Sequence, residues 1–162
     1  MKNNYQGVRA VPYTTNFAAN KLLYSSVNGV EEIHSLGTVW STMLYEVFWD
    51  LVDVYGVNYA RKPNYITTTM GQSIPSDGRY LAMKFVMDGM ALQPCNPTIV
   101  HARDSVLDAD RVLTGGGNLC MMWKAFARRG LGFGANETSV MTGIRGEPIL
   151  RVDAFDIPKA CR

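Results

Sequence analysis

Histidine is scarce in this 162-residue chain: His34 and His101 are the two it has. Neither stands in an H-E-x-x-H pair, and no C-x-x-C occurs. A catalytic metal needs about three convergent protein ligands, so no metal site is expected from this chain's own residues. Charge of one sign is also short. Sixteen basic and fourteen acidic residues leave a net +2, too weak a field to predict binding to nucleic acid or an anionic membrane. No apolar run reaches the ~20 residues that cross a bilayer. The opening MKNNYQGVRA lacks the apolar core of a signal peptide. The expectation is a chain that stays in the cell or forms part of a longer precursor.

Other chemistries fail on missing motifs. There is no G-x-S-x-G, and the run Thr114-Gly115-Gly116-Gly117-Asn118 has the spacing of a helix breaker rather than of a phosphate loop. Cysteine is sparse and odd in number: Cys95, Cys120 and Cys161. In an extracellular chain one of them would stay free or pair outside this segment. Asn136-Glu137-Thr138 is the one glycosylation sequon, usable if the chain is secreted.

What is present is helical periodicity. Residues 1–30, rich in Asn, Tyr, Thr and Ser, show none and are expected to be extended or looped. From Ile33 to Tyr55, Leu36, Trp40, Met43, Leu44, Val47, Leu51 and Val54 recur at helical spacing, with Glu46, Asp50 and Asp53 outward. Gly56 is a natural stop. Such a helix spans about 35 Å and should be the central element. Residues 57–78 read as a surface loop, with Arg61 and Lys62 as solvated charges. Ser76 or Asp77 caps a second helix that Pro94 halts after Gln93. Its segment YLAMKFVMDGMAL is apolar nearly all round, which predicts burial, with Met83, Met87 and Met90 as core filler.

Asn96 is the expected cap of a third helix that opens at Pro97. Ile99, Ala102, Val106, Ala109 and Leu113 form its inner face, opposite Asp104, Asp108 and Arg111. A fourth helix runs from about Asn118, with Leu119, Met122, Trp123 and Phe126 inward. Arg128 and Arg129 are its C-terminal surface charges and Gly130 its end. In the tail, ILRVDAF suggests a short strand. An antiparallel third and fourth helix would hold Cys95 and Cys120 about 25 Å apart, and a disulfide needs Cα atoms within ~7 Å. That disfavours Cys95–Cys120 and leaves Cys161 as the freer partner for either. The predicted class is mostly α: an irregular segment over 1–30, a helical lobe over 31–132 and a tail over 133–162.

His34 heads the long helix in EEIHSLGTVW, beside Glu31 and Glu32. The plain reading is a helix-start histidine bonded locally. The functional one is an imidazole oriented by a carboxylate to donate to a developing oxyanion.

Here a family resemblance emerges. GVEEIHSLGTVWSTMLYEVFWDLVD (29–53) closely resembles the E-V-H-A-I-G-x-V-W-A helix of the fungalysins, secreted zinc peptidases related to thermolysin. GVRAVPYTT (7–15), YLAMKFVMDGMALQPCNPTIVHARDSVLDAD (80–110) and LCMMWKAFARRGLG (119–132) are similar to family segments in the same order. The resemblance implies a thermolysin-like C-terminal helical lobe with one long central helix and about three others, forming one wall of a substrate cleft. It implies that His34 donates to the tetrahedral intermediate, that Arg9 binds a substrate carbonyl, and that Glu31 or Glu32 partners His34. Zinc belongs to the intact enzyme and not to this chain, because the H-E-x-x-H lobe is absent here. The implied partners are that N-terminal catalytic lobe and a peptide or protein substrate, in an extracellular setting. The chain alone is expected to be inactive. The alternative is a stand-alone, non-catalytic binding module derived from the lobe.

Overall fold

A computed structural model describes residues 9–30, 32–59, 61–139 and 149–162. The longest amphipathic run forms the longest element, α1 (Ile33–Tyr55), which Gly56 ends with φ 69° and an N–H to the Val52 carbonyl at 2.8 Å. Val39, Met43, Val47 and Leu51 are buried along it. Three further helices follow: α2 (Gly78–Leu92), α3 (Ile99–Thr114) and α4 (Leu119–Arg128). α2 packs on α1 and α3, and α4 packs on α1. Their shared core centres on Met43, Leu81, Phe85, Leu107, Met122 and Phe126. Gly89 lets α2 and α3 approach closely, since a Cβ there would lie 2.9 Å from Cγ2 of Val106. The mostly α expectation holds, and among the described residues no helix is long and apolar enough to cross a membrane.

Several local expectations need correction. Residues 57–78 hold a small antiparallel hairpin, β1 (Tyr65–Thr67) with β2 (Ser73–Pro75), in the register Ile66↔Ile74. Burial of Ile74 against the core gives that loop its order. Of the two expected caps of α2, Asp77 takes the role, accepting from the backbone and the guanidinium of Arg79 and from the N–H of Asn58. α3 is capped by Thr98 rather than Asn96. The Thr98 hydroxyl accepts from the His101 N–H at 3.2 Å, and His101 Nδ1 accepts in return from the Thr98 N–H at 3.3 Å. That reciprocal pair sets the helix start, while Asn96 sits outside it at φ 52°.

Burial also departs from pattern. Met83, Met87, Met90 and Leu92 on α2 are exposed, because its buried face is made by Gly78, Leu81, Ala82, Phe85 and Gly89. Val54 is exposed at the far end of α1, whereas Glu46 is buried within it. Arg129 is buried as well. Its guanidinium pairs with Glu46 and donates to the carbonyls of Asn20 at 2.7 Å and Thr14 at 2.9 Å.

The opening segment contains a 3-10 turn (Tyr24–Val27), whose Tyr24 N–H donates to the Arg129 carbonyl at 2.8 Å. Burial, and then Glu137 beside it, pushes the Tyr24 phenol pKa up. The tail is tied back to the helices. ILRV of the predicted strand forms β4 (Ile149–Val152), antiparallel to β3 (Asn136–Ser139). Asp153 accepts from the backbone and hydroxyl of Ser25. A disulfide joins Cys120 to Cys161 with Cα atoms 5.0 Å apart, and Cys95 is an exposed free thiol.

Candidate functional site

The start of α1 needs an acceptor for its unpaired N–H groups, and Glu32 supplies it from the N-cap position. Its carboxylate accepts from the His34 N–H at 2.9 Å, the Ser35 N–H at 2.7 Å and the Ser35 hydroxyl at 3.0 Å. The same carboxylate meets Nδ1 of His34 at 2.5 Å. One side chain therefore starts the helix and orients the imidazole. The backbone N–H of His34, then its ring, hold the Glu32 carboxyl down at about 2, with Ser35 adding to them.

The rest of the ring is open. The His34 side chain is 70% exposed, and Nε2 has no protein partner among the described residues. Arg9 lies on the same side of the helix head. Its Nη1 donates to the His34 carbonyl at 2.7 Å, and the Thr38 hydroxyl donates to that oxygen at 2.7 Å. Between the opening segment and α1 lies a cleft of about 340 Å³, lined by the polar Arg9, Glu32 and His34 and by the apolar Val11, Leu22 and Val39. His34, Glu32 and Arg9 are thus brought together. Glu31 lies outside the described residues.

Nothing in the sequence pattern pointed to what holds Arg9 here. Asn20 is buried and donates to the Pro12 carbonyl at 2.9 Å and to the Thr42 hydroxyl of α1 at 3.1 Å. Arg129 grips the same segment from α4's end, through the Thr14 and Asn20 carbonyls. These bonds fasten residues 12–20 along α1, and Arg9 follows from that anchorage. An asparagine in a polar stretch and an arginine at a helix end carry no signal of such roles.

Chemically, the head of α1 offers hydrogen-bond donors to an oxygen entering the cleft. With both ring nitrogens protonated, Nδ1 donates to Glu32 and Nε2 donates outward. The adjacent carboxylate offsets the ring's positive charge.

Fold and site together define a mostly α-helical lobe that presents a carboxylate-oriented imidazole at the rim of an open cleft. Residues 1–135 match the fungalysin metallopeptidase family, and the chain belongs to it. It is 56% identical over 137 residues to the extracellular metalloproteinase MEP of Neosartorya fischeri, covering 85% of this chain and 21% of that protein. It is 48% identical over 159 residues to extracellular metalloproteinase 3 of Arthroderma otae, covering 98% of this chain and 23% of that one. An extracellular metalloproteinase of Aspergillus niger is 53% identical over 148 residues, 91% of this chain and 23% of its own length. The chain spans less than a quarter of the relatives it matches.

Among the described residues no three His, Cys, Asp or Glu side chains stand together to hold the metal that the family implies. His101 is engaged in capping α3.

Proposed function

We propose that this chain is the C-terminal, substrate-side lobe of a secreted fungalysin-type zinc metalloendopeptidase, and that it is inactive by itself. The observation that carries the reading is the His34–Glu32 contact, which orients the ring through Nδ1 and leaves Nε2 without a partner among the described residues. In this role Nε2 donates to the oxygen that gains charge when a peptide carbonyl becomes tetrahedral. A donor aimed at developing charge lowers the barrier more than it tightens ground-state binding. Arg9 spends Nη1 on the His34 carbonyl and lines the cleft, so in this role its further guanidinium N–H donors serve a neighbouring substrate carbonyl. Metal and general base come from the lobe that this chain lacks. Secretion is supported by the names of the relatives and by the Cys120–Cys161 disulfide, a bond of oxidising compartments.

The test is a full-length chimera in which this chain replaces the matching stretch of the Neosartorya fischeri protein. It should hydrolyse a fluorogenic peptide, while the 162-residue chain alone does not. In the chimera His34→Ala should lower kcat by about 10²–10³. Unchanged kcat in that variant, or hydrolysis by the isolated chain, would refute the reading.

A further inference from the structure

The sequon Asn136-Glu137-Thr138 takes no part in the proposed reaction, and the fold places it in β3, a strand whose two faces differ. β3 pairs with β4 in the register Asn136↔Val152, Glu137↔Arg151 and Thr138↔Leu150. Paired residues of an antiparallel ladder share a face, and successive residues alternate. Glu137 and Arg151 take the inner face. They line a cavity of about 620 Å³ together with Leu36 and Trp40 of α1 and Ile99 of α3. Glu137 also accepts from the Tyr24 hydroxyl at 2.9 Å. Those contacts fix how the strand is turned. Asn136 therefore belongs to the outer face and is exposed, beside Val152 at 41% and Leu150 at 46% exposure.

Two similar triplets are closed. Asn96-Pro97-Thr98 has proline at its middle position, which bars transfer. In Asn118-Leu119-Cys120 the asparagine is buried and the cysteine is held in the disulfide. Asn136 alone joins a permitted triplet to an exposed asparagine. Its cross-strand neighbours leave apolar side chains in water. A glycan is bulky and solubilising, and one attached opposite Val152 would cover them.

We infer that Asn136 carries an N-linked glycan that lies over the outer face of the β3–β4 hairpin. The inference rests on reading the chain as secreted, because the donor is a polyisoprenyl diphosphate oligosaccharide of the secretory compartment, moved by a membrane transferase. The Asn136 amide nitrogen bonds to the anomeric carbon of the first N-acetylglucosamine. The anomeric C–O bond to diphosphate breaks, and one amide proton leaves with the lipid diphosphate. One N–H remains on Nδ2, enough to keep its bond to the Gly134 carbonyl at 3.2 Å. The outer face is turned from α1 and α3, so the glycan stands clear of the helices.

The test expresses the 162-residue chain in yeast behind a secretion leader. Intact mass should show one glycan, removed by peptide-N-glycosidase, and the conversion of asparagine to aspartate should map to position 136 in a digest. Asn136→Gln and Thr138→Ala should abolish the mass step, and Thr138→Ser should keep it. After removal of the glycan, binding of the apolar dye anilinonaphthalene sulfonate should rise by about twofold, and Leu150→Thr with Val152→Thr should cancel the rise. An unmodified Asn136 in secreted chain whose Cys120–Cys161 bond has formed overturns the glycan and leaves the secretion reading intact. Dye binding that does not change on removal overturns the cover over Leu150 and Val152. Should the chain be retained in the cell, cell-free translation with microsomes should give the same mass step, lost in Asn136→Gln, and its absence overturns the inference. Peptide hydrolysis by the chimera bears on the lobe reading alone, so the two fail separately.

Discussion

Glu46 and Arg129, separated by 83 positions, form an ion pair sealed from solvent: Arg129 Nε donates to Glu46 Oε1 at 2.7 Å, with the side chains of Glu46 and Arg129 2% and 0% exposed. Arg128 also reaches Glu46, at 3.0 Å, and extends to Asp50 at 2.7 Å near the surface. The pair joins α1 to the end of α4 and, through the Thr14 and Asn20 carbonyls, clamps the segment that leads to Arg9.

Breaking that pair should cost far more than its net worth. Arg129→Met leaves the Glu46 charge buried with only Arg128 to meet it, which predicts a loss of about 3–5 kcal/mol in urea unfolding. Glu46→Leu added to Arg129→Met should restore part of it, because the second change removes the stranded charge. A single-variant loss below about 1 kcal/mol would show that the pair does not organise the fold.

Glu32 sets a pH dependence at the head of α1. Its folded carboxyl is lowered from the ordinary 4.5 to about 2, so its bonds stabilise the native state fully above the ordinary value and lose that effect as pH falls through the folded one. Side-chain carboxyl NMR should give a midpoint near the lower value, with the His34 ring released in the same step. A midpoint near the ordinary value would remove Glu32 as the group that orients the ring.

The disulfide closes a long loop. Cys120 and Cys161 are 41 positions apart, for which chain entropy predicts about 4 kcal/mol of stabilisation. Cys161→Ser should lower the unfolding free energy by about 2–5 kcal/mol. Thiol titration should find Cys95 alone reactive in the native protein and all three cysteines after reduction in denaturant. Rapid reaction of Cys120 in the native chain would contradict the pairing.

Gly89 tests the α2–α3 contact. A Cβ there would sit 2.9 Å from Cγ2 and 3.0 Å from Cα of Val106, the latter being backbone that cannot step aside. Gly89→Ala should destabilise by about 1–3 kcal/mol despite alanine's better helix propensity. A stabilised variant would mean that the helices are farther apart than described.

The sequence alone settled whatever depends on neighbours along the chain. α1 begins at Ile33 and ends at Tyr55 as its spacing and Gly56 foretold, since caps and periodicity act within a turn or two. The histidine at the head of a helix beside a carboxylate was legible for the same reason, whereas Cys161 stood as a partner for either other cysteine and only the fold chose Cys120. The sequence misled where a cap had competitors, so Thr98 with His101 displaced Asn96 at the start of α3.

Tertiary structure alone decided burial and long-range pairing. An arginine at a helix end looks solvated until Glu46, Asn20 and Thr14 surround it. A helix apolar on every side looks buried until its neighbours are counted, and α2 turned out to leave its methionines uncovered. The physical reason is common to both cases. Helical pattern records which faces avoid water, whereas the identity of what covers each face depends on packing between segments far apart in the chain.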